Sequence, residues 1–305
     1  MYDAAELTKE SDLFANVLGL PFDIAACSAK RYLYISERNT GIVRRVGFSV
    51  ADTEAGIRVQ LEGERKQWRV AGSPNGLSVT PESTVLVSCD TDRTLKEYDS
   101  DGIHLREVRL PADMDRPHHA LRFLPSCNDF LVCHGGWSST KPRACVVRST
   151  AVGADAASTS SCPAVGLMTG NIKSEKEVYG GSAGSKVGQL NVPLRLAIQN
   201  VSALSEDTVN QQRRLFVLDS KSNRVVLLKL SINTTANEYS LDHVGHLVAP
   251  RWDGKQFTPD TLCLDESGRQ LYVSADSNLS TYYIPADDNN LNELIASNST
   301  ELDPG

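Results

Sequence analysis

The feature that most constrains the fold of this chain is a unit that recurs, of which residues 213–230 are the most regular copy. Their apolar run LFVLD ends at Asp219, and the polar segment that follows has the composition of a turn. A second apolar run begins at Val225. Upstream, residues 191–198 (NVPLRLAI) form a third strand-like run that is entered through a proline. These runs predict most of a four-stranded antiparallel sheet.

Five such units begin with a proline-led strand, at Pro21, Pro74, Pro117, Pro193 and Pro259, which are 53, 43, 76 and 66 residues apart. The shortest interval matches a propeller blade of roughly 40–50 residues. The longer intervals contain polar or Ala/Ser/Gly-rich insertions, at 152–163 and 202–212. Short strands hide both faces only when neighbouring sheets stack, so the repeats indicate a radial arrangement. We therefore expect an all-β, six-bladed β-propeller of four-stranded antiparallel blades, in which strands from the chain ends supplement the five repeats.

The repeats also divide the chain into three segments. Residues 1–18 carry no repeat, and we expect 13–18 to be an edge strand that closes the ring by pairing with the last blade. Residues 19–284 form the propeller. Residues 285–305 are acidic and Asn-rich, and we expect a frayed tail there with a weak helical pattern at Leu291, Leu294 and Ile295.

Composition excludes several classes of protein. The chain has 31 basic and 38 acidic residues, which argues against a surface that is entirely a nucleic-acid footprint. It has no apolar run of membrane-spanning length, and its polar N-terminus lacks the features of a secretory signal. We therefore expect a soluble, cytoplasmic protein with no membrane partner. The seven cysteines include no C-x-x-C pair, which favours small buried hydrophobic side chains over disulfides or zinc ligands.

The fourth repeat resembles the NHL repeat. The resemblance lies in P-x-x-[IL]-A followed by LFVLDSKSNRVVLL, and in residues 179–190 (YGGSAGSKVGQL), which are similar to the inter-blade segment of that family. It is good over about 170–230 and weaker over the rest of 19–284. NHL domains are six-bladed propellers that mostly bind proteins or RNA. The resemblance thus implies a non-enzymatic scaffold that needs no cofactor. Ubiquitin-ligase activity is not implied, because this sequence has no RING, B-box or coiled coil.

The candidate site follows from the position of the prolines. In a propeller the proline-led strand is innermost, so the residues directly after each proline are expected at the mouth of the central channel. The polar members of this set are Asp23, Asn75, His118, His119, Arg195 and Asp260. We expect them to bind a protein or peptide partner. The alternative interpretation is that they only solvate the channel mouth and cap the strand ends.

One alternative function is hydrolysis. Residues 73–77 (SPNGL) and 258–260 (TPD) resemble segments of gluconolactonase-like propellers, where a Glu, two Asn and an Asp hold a divalent metal that polarises a lactone carbonyl. The resemblance implies a Ca²⁺ or other divalent metal site at Asp23, Asn75 and Asp260. The second asparagine of that family has no counterpart here, and Arg195 is an unfavourable neighbour for a divalent cation.

The other alternative is RNA binding. The third and fourth repeats carry a basic set made up of Arg143, Arg148, Arg213, Arg214, Lys221 and Arg224, and Trp137 is expected in an exposed loop where bases can stack on it. Such a set is also typical of an ordinary solvated surface.

Overall fold

The computed structural model describes residues 21–53, 56–124, 128–136, 139–151, 166–200, 210–248, 258–265, 269–275, 278–285 and 288–299. The expected edge strand at 13–18, the insertion at 152–163 and Trp137 lie outside the described residues. Among the described helices, none is both long enough and apolar enough to cross a membrane.

The first two blades are regular antiparallel meanders. Blade 1 consists of β1 (Pro21–Cys27), β2 (Tyr32–Glu37), β3 (Ile42–Thr53) and β4 (Gly56–Arg69). Blade 2 consists of β5 (Pro74–Val79), β6 (Val85–Cys89), β7 (Thr94–Tyr98) and β8 (His104–Arg109).

Blade 3 departs from this pattern at its outer edge. It contains β9 (Pro117–Arg122), β10 (Asp129–His134), β11 (Arg143–Ala151), β12 (Gly166–Asn171) and β13 (Val178–Gly180). Both β12 and β13 pair with β11, and β12 also pairs in parallel with β8. Blades 2 and 3 are therefore joined into one nine-stranded sheet, which the repeat pattern does not predict.

Blade 4 is a complete meander and blade 5 is short. Blade 4 has β14 (Pro193–Asn200), β15 (Asn210–Asp219), β16 (Arg224–Asn233) and β17 (Glu238–Val248). Blade 5 has β18 (Thr261–Asp265), β19 (Gln270–Ala275) and β20 (Asn278–Tyr283). The described residues thus hold five blades, and the strand expected at 13–18 for a sixth lies outside them.

The expectation that the proline-led strands are innermost is confirmed. β1, β5, β9 and β14 begin at their prolines, and β18 begins two residues after Pro259. Each of these strands lies at an end of its sheet, with β5 and β9 at opposite ends of the nine-stranded sheet. The five strands contact one another in chain order, from β1 through β18. The sheets are therefore arranged radially, which is the arrangement of a β-propeller.

The core lies between the blades rather than inside a single sheet. On β15, Leu215 and Val217 pack with residues of blade 3, whereas Phe216 and Leu218 pack with residues of blade 5. Successive side chains of a strand point to opposite faces, so a continuous apolar run is needed wherever both faces are covered. This requirement explains the unbroken LFVL sequence of the most regular repeat.

Asp219 does more than end that repeat's central strand. Its fully buried carboxylate accepts the N–H groups of Asn191 at 2.7 Å and Val192 at 3.0 Å, and it accepts Arg224 Nε at 3.1 Å. Asn223 closes the Ser220–Ser222 turn in the left-handed conformation, with φ of 49°. Asp219 therefore ties the entry of the proline-led strand to the end of β15.

The C-terminal segment contains an ordered helix, α1 (Asp288–Ser299), where a frayed tail was expected. Leu291 is 2% exposed, and α1 packs against β17. Gly245 of β17 permits this contact, since a Cβ there would lie 2.6 Å from Ile295 Cγ2. The weak helical pattern was informative, but only tertiary packing makes such a short amphipathic segment stable.

Candidate functional site

The N-terminal ends of four inner strands converge at the channel. Five of the six predicted site residues lie there in one connected group: Asp23, Asn75, His118, His119 and Arg195. We call this group the channel-mouth cluster. Its contacts join blades 1, 2, 3 and 4.

An ion pair crosses the channel between blades 1 and 4. Asp23 Oδ1 lies 3.2 Å from Arg195 Nη2, and the two side chains are 6% and 7% exposed. Asp23 Oδ2 accepts the N–H of Leu77 at 2.7 Å, and Arg195 also donates to the carbonyl of Phe22 at 3.3 Å. Removing either charge leaves the other buried, which is costly.

Asn75 orients His118. The fully buried Asn75 donates through Nδ2 to the Pro117 carbonyl at 3.2 Å and lies 3.1 Å from His118 Nδ1. A neutral His118 that accepts this amide at Nδ1 carries its proton on Nε2. Within the described residues, His118 Nε2 and Asn75 Oδ1 are buried without a hydrogen-bond partner. The Gly135 backbone nevertheless lies near the His118 ring and acts on the pKa of this residue as a hydrogen-bond partner, so of these two atoms only Asn75 Oδ1 is left unused among the described residues.

Both cluster histidines are neutral at pH 7. Burial, aided by the Arg195 charge, lowers the pKa of His118 to about 4. Burial also lowers the pKa of His119 to about 4, although the Asp23 charge opposes the shift. His119 lies 3.0 Å from the Leu77 carbonyl through Nε2 and accepts the Leu196 N–H at Nδ1 over 3.4 Å. Neutral His119 thus bridges three inner strands.

Asp260 is separate from the cluster. It is exposed on blade 5, where it accepts the Ser274 hydroxyl at 3.1 Å, and no recorded contact links it to Asp23 or Asn75. Within the described residues, no group of three or more His, Cys, Asp or Glu side chains is placed to hold a metal ion. The carboxylate of Asp23 is already engaged by Arg195 and Leu77. The hydrogen bonds of Asp23, Asn75 and Asp260 thus go to three different parts of the structure.

Two further residues, Phe22 and Arg38, lie beside the predicted site but were not among the predicted residues, which are all polar. Phe22 is 39% exposed, with the guanidinium carbons of Arg38 and Arg195 at 5.3 Å and 5.8 Å from its ring centre. Both distances lie within the range of cation–π attraction. Arg38 also forms an ion pair with Asp90, which follows β6. The position of Phe22 directly after Pro21 is a sequence signal that could have identified it.

The basic residues of the third and fourth repeats are engaged in structural contacts. Arg143 pairs with Asp113 at 2.7 Å, Arg148 pairs with Glu177, and Arg224 pairs with Asp219. Arg213 donates to the carbonyl of Phe123, and Arg214 donates to that of Pro285. Lys221 is exposed on the turn before β16. Arg148, Arg214 and Arg224 are thus used between strands and blades.

Solved structures similar to this one include β-propellers. A functionally unknown protein from Desulfotomaculum acetoxidans DSM 771 matches with a TM-score of 0.50 and 12% identity, over 88% of this chain and 67% of that one. The β-propeller domain of Cps50 (Swd1) from Myceliophteria thermophila gives 0.43 and 14%, over 88% and 66%. The gluconolactonase XC5397 from Xanthomonas campestris gives 0.47 and 14%, over 86% and 72%.

At these identities the first match bears on the fold alone, and the two lower scores support no functional statement. No family model and no curated protein sequence matches the chain. The radial sheets therefore identify this chain as an all-β protein with a β-propeller fold.

Proposed function

We propose that this chain is a six-bladed, NHL-type propeller that binds a protein or peptide partner at the face around the channel-mouth cluster, without catalysing a reaction. The observation that carries the proposal is the exposed Phe22, whose ring lies between the guanidinium groups of Arg38 and Arg195 at the channel mouth. Aromatic and arginine side chains supply much of the energy of protein interfaces.

The geometry suits recognition better than acid–base chemistry. A histidine whose pKa is about 4 is a weak base at pH 7, and both cluster histidines are in this state. The Asp23 carboxylate is held by a cation and by a backbone N–H. These groups are fixed in place, and a rigid scaffold of this kind favours shape-selective binding.

The two alternatives have less support. A lactone or ester hydrolase needs Asp23, Asn75 and Asp260 to converge on a metal, and their contacts lead elsewhere. RNA binding needs a surface of available cations, and Arg143, Arg148 and Arg224 each have a carboxylate partner.

A peptide-display selection tests the proposal. The full chain is immobilised, a random peptide library is selected on it, and a synthetic copy of an enriched peptide is titrated by fluorescence polarisation. We expect Phe22→Ala to weaken binding by about tenfold or more, as for an interface hot spot.

The matched control is Ile103→Ala. Ile103 is 63% exposed in the β7–β8 turn, at the end of the blade away from the channel mouth. We expect its affinity to stay within about twofold of the unsubstituted chain, as for a residue outside the interface. Failure to enrich any peptide, or equal losses in the two variants, overturns the proposed face.

Elemental analysis of the purified chain addresses the hydrolase alternative. We expect no stoichiometric divalent metal after dialysis against CaCl₂, and no lactone hydrolysis. One tightly held ion per chain, lost in Asp23→Asn, would contradict the non-catalytic proposal.

A further inference from the structure

A second polar site lies on the outer part of blade 4, away from the channel. It is a cavity of about 310 Å³ between the blade and α1. Its polar lining includes Arg213, Arg214, Lys229, Asp242 and His243, and its apolar lining is Leu227, Val244 and Leu291. We call it the outer cavity.

Its charges form a row across three strands. The register places Arg214 of β15 directly opposite Lys229 of β16, and it places Lys229 opposite Asp242 of β17. Like charges directly opposite one another on neighbouring strands destabilise a sheet. An anion held beside Lys229 offsets the repulsion that Arg214 exerts on it.

Asp242 lies opposite Lys229 in the register but forms no ion pair with it. The ammonium of the half-buried Lys229 makes no ion pair with any described residue, and exposed Asp242 accepts the Ser240 hydroxyl at 3.1 Å. Arg214, which is 5% exposed, donates to the side-chain oxygen of Gln199 and to the backbone carbonyl of Pro285. The chain as a whole carries a net charge of −7, so the charge of this pair of cations is opposite in sign to the net charge of the protein.

His243 adds no positive charge at neutral pH. Burial, together with the charges of His246 and Arg224, lowers the pKa of this residue, and its ring stacks on Tyr179 with centroids 5.8 Å apart. The positive potential of the cavity therefore depends on its arginine and lysine side chains.

The walls of the cavity select for an organic ligand. Leu227 and Leu291 are 1% and 2% exposed, and they give the cavity an apolar side opposite the cations. Ligand pockets span roughly 300–1,000 Å³, and this one lies at the small end of that range. An inorganic anion would leave the apolar wall uncovered, whereas a small organic acid covers both sides.

We propose that the outer cavity binds a small organic carboxylate, with its charged group between Arg214 and Lys229 and its apolar body against Leu227 and Leu291. This site is independent of the partner-binding face proposed above. If the outer cavity does not bind a carboxylate, the proposed binding of a protein or peptide partner is unaffected. If no partner binds at the channel-mouth face, the proposed carboxylate site is likewise unaffected.

Calorimetric titration of the full chain with benzoate and with benzamide tests the assignment. The two probes have nearly the same shape, and only benzoate is charged. We expect benzoate to bind at least about tenfold more tightly than benzamide in low-salt buffer at pH 7, because the carboxylate meets two cations in a partly buried site.

Three variants distinguish binding of benzoate in the outer cavity from its attraction to positive charge elsewhere on the surface. We expect Lys229→Met to weaken benzoate binding by about tenfold or more, and Lys229→Arg to retain most of it. Lys221→Met, on the exposed turn of the same blade, should leave the affinity unchanged. The proposal is overturned if benzoate does not bind, if benzamide binds equally well, or if Lys221→Met and Lys229→Met lose affinity equally.

Discussion

The channel-mouth cluster and the outer cavity place charged side chains in opposite ways. At the channel, Arg195 is paired with Asp23, and the two histidines are neutral. In the outer cavity, Arg214 faces another cation, Lys229, across the sheet. Paired buried charges hold strands together, whereas Lys229, which makes no ion pair with any described residue, leaves electrostatic energy for an anionic ligand to recover. Removing one charge should therefore have opposite consequences in the two regions.

The largest expected effect comes from Asp23→Asn. The substitution leaves Arg195 buried without its counter-ion, so we expect the free energy of unfolding to fall by about 3–5 kcal/mol. Urea denaturation measures the change. Asp113→Asn is the matched control, because Asp113 pairs with Arg143 while 51% exposed, and we expect a loss of at most about 1 kcal/mol there. Equal losses would mean that the channel ion pair is an ordinary surface pair.

The second expected effect concerns pH. His118 and His119 have folded pKa values near 4, below the ordinary value of 6.5, so the unfolded chain binds more protons between these limits. Their contribution to stability is complete above about pH 6.5 and is lost as the pH falls towards 4. We expect a slope on the order of 1 kcal/mol per pH unit for each histidine.

Urea denaturation at several pH values measures that slope. Carboxylates also titrate in this range, so the informative comparison is with His119→Gln, which should flatten the profile between pH 6.5 and 4. An unchanged slope in the variant would show that His119 is not the neutral bridge between the inner strands.

A smaller effect is expected where α1 meets blade 4. An alanine side chain at position 245 would place its Cβ 2.6 Å from Ile295 Cγ2 and 2.8 Å from Cδ1. We expect Gly245→Ala to cost about 1–3 kcal/mol by overpacking, and to increase amide hydrogen exchange in α1. The double variant Gly245→Ala/Ile295→Ala should recover part of the loss. If Gly245→Ala is neutral and α1 stays protected, the helix is not seated on β17 as described.

The smallest expected effect is a gain in stability on removing the charge of Lys229, opposite in sign to the loss expected at Asp23. In ligand-free protein, Lys229→Met removes a charge that repels Arg214 and keeps a long side chain. We expect it to raise the free energy of unfolding by about 0.2–1 kcal/mol. A loss of more than about 1 kcal/mol would place Lys229 in a stabilising ion pair and contradict the argument for the outer cavity.

Much of the propeller was predictable because its signals are local. A proline at the start of each inner strand, turn residues after each central strand and continuous apolar runs all act within one blade. Pro21, Pro74, Pro117 and Pro193 therefore located four inner strands to the residue. These positions also identified the strand ends that meet at the channel.

The remaining features depend on contacts between distant parts of the chain. The pairing of Asp23 with Arg195 arises only when blades 1 and 4 face each other. The parallel pairing of β12 with β8 and the seating of Ile295 on Gly245 are also tertiary. For the same reason, the sequence could not show which basic residues are available to RNA. It shows the positive charge of Arg224, but not that the carboxylate of Asp219 forms an ion pair with it in the fold.

A double-mutant cycle on Asp23 and Arg195 tests most directly whether the inner strand ends form one connected polar network. The unfolding free energies of Asp23→Ala, Arg195→Ala and the double variant are compared with that of the unsubstituted chain. We predict a coupling energy of about 2–3 kcal/mol, so the double variant should be far less destabilised than the sum of the single losses. A coupling energy within about 0.5 kcal/mol of zero would show that the two side chains act independently, and it would contradict a connected channel-mouth cluster.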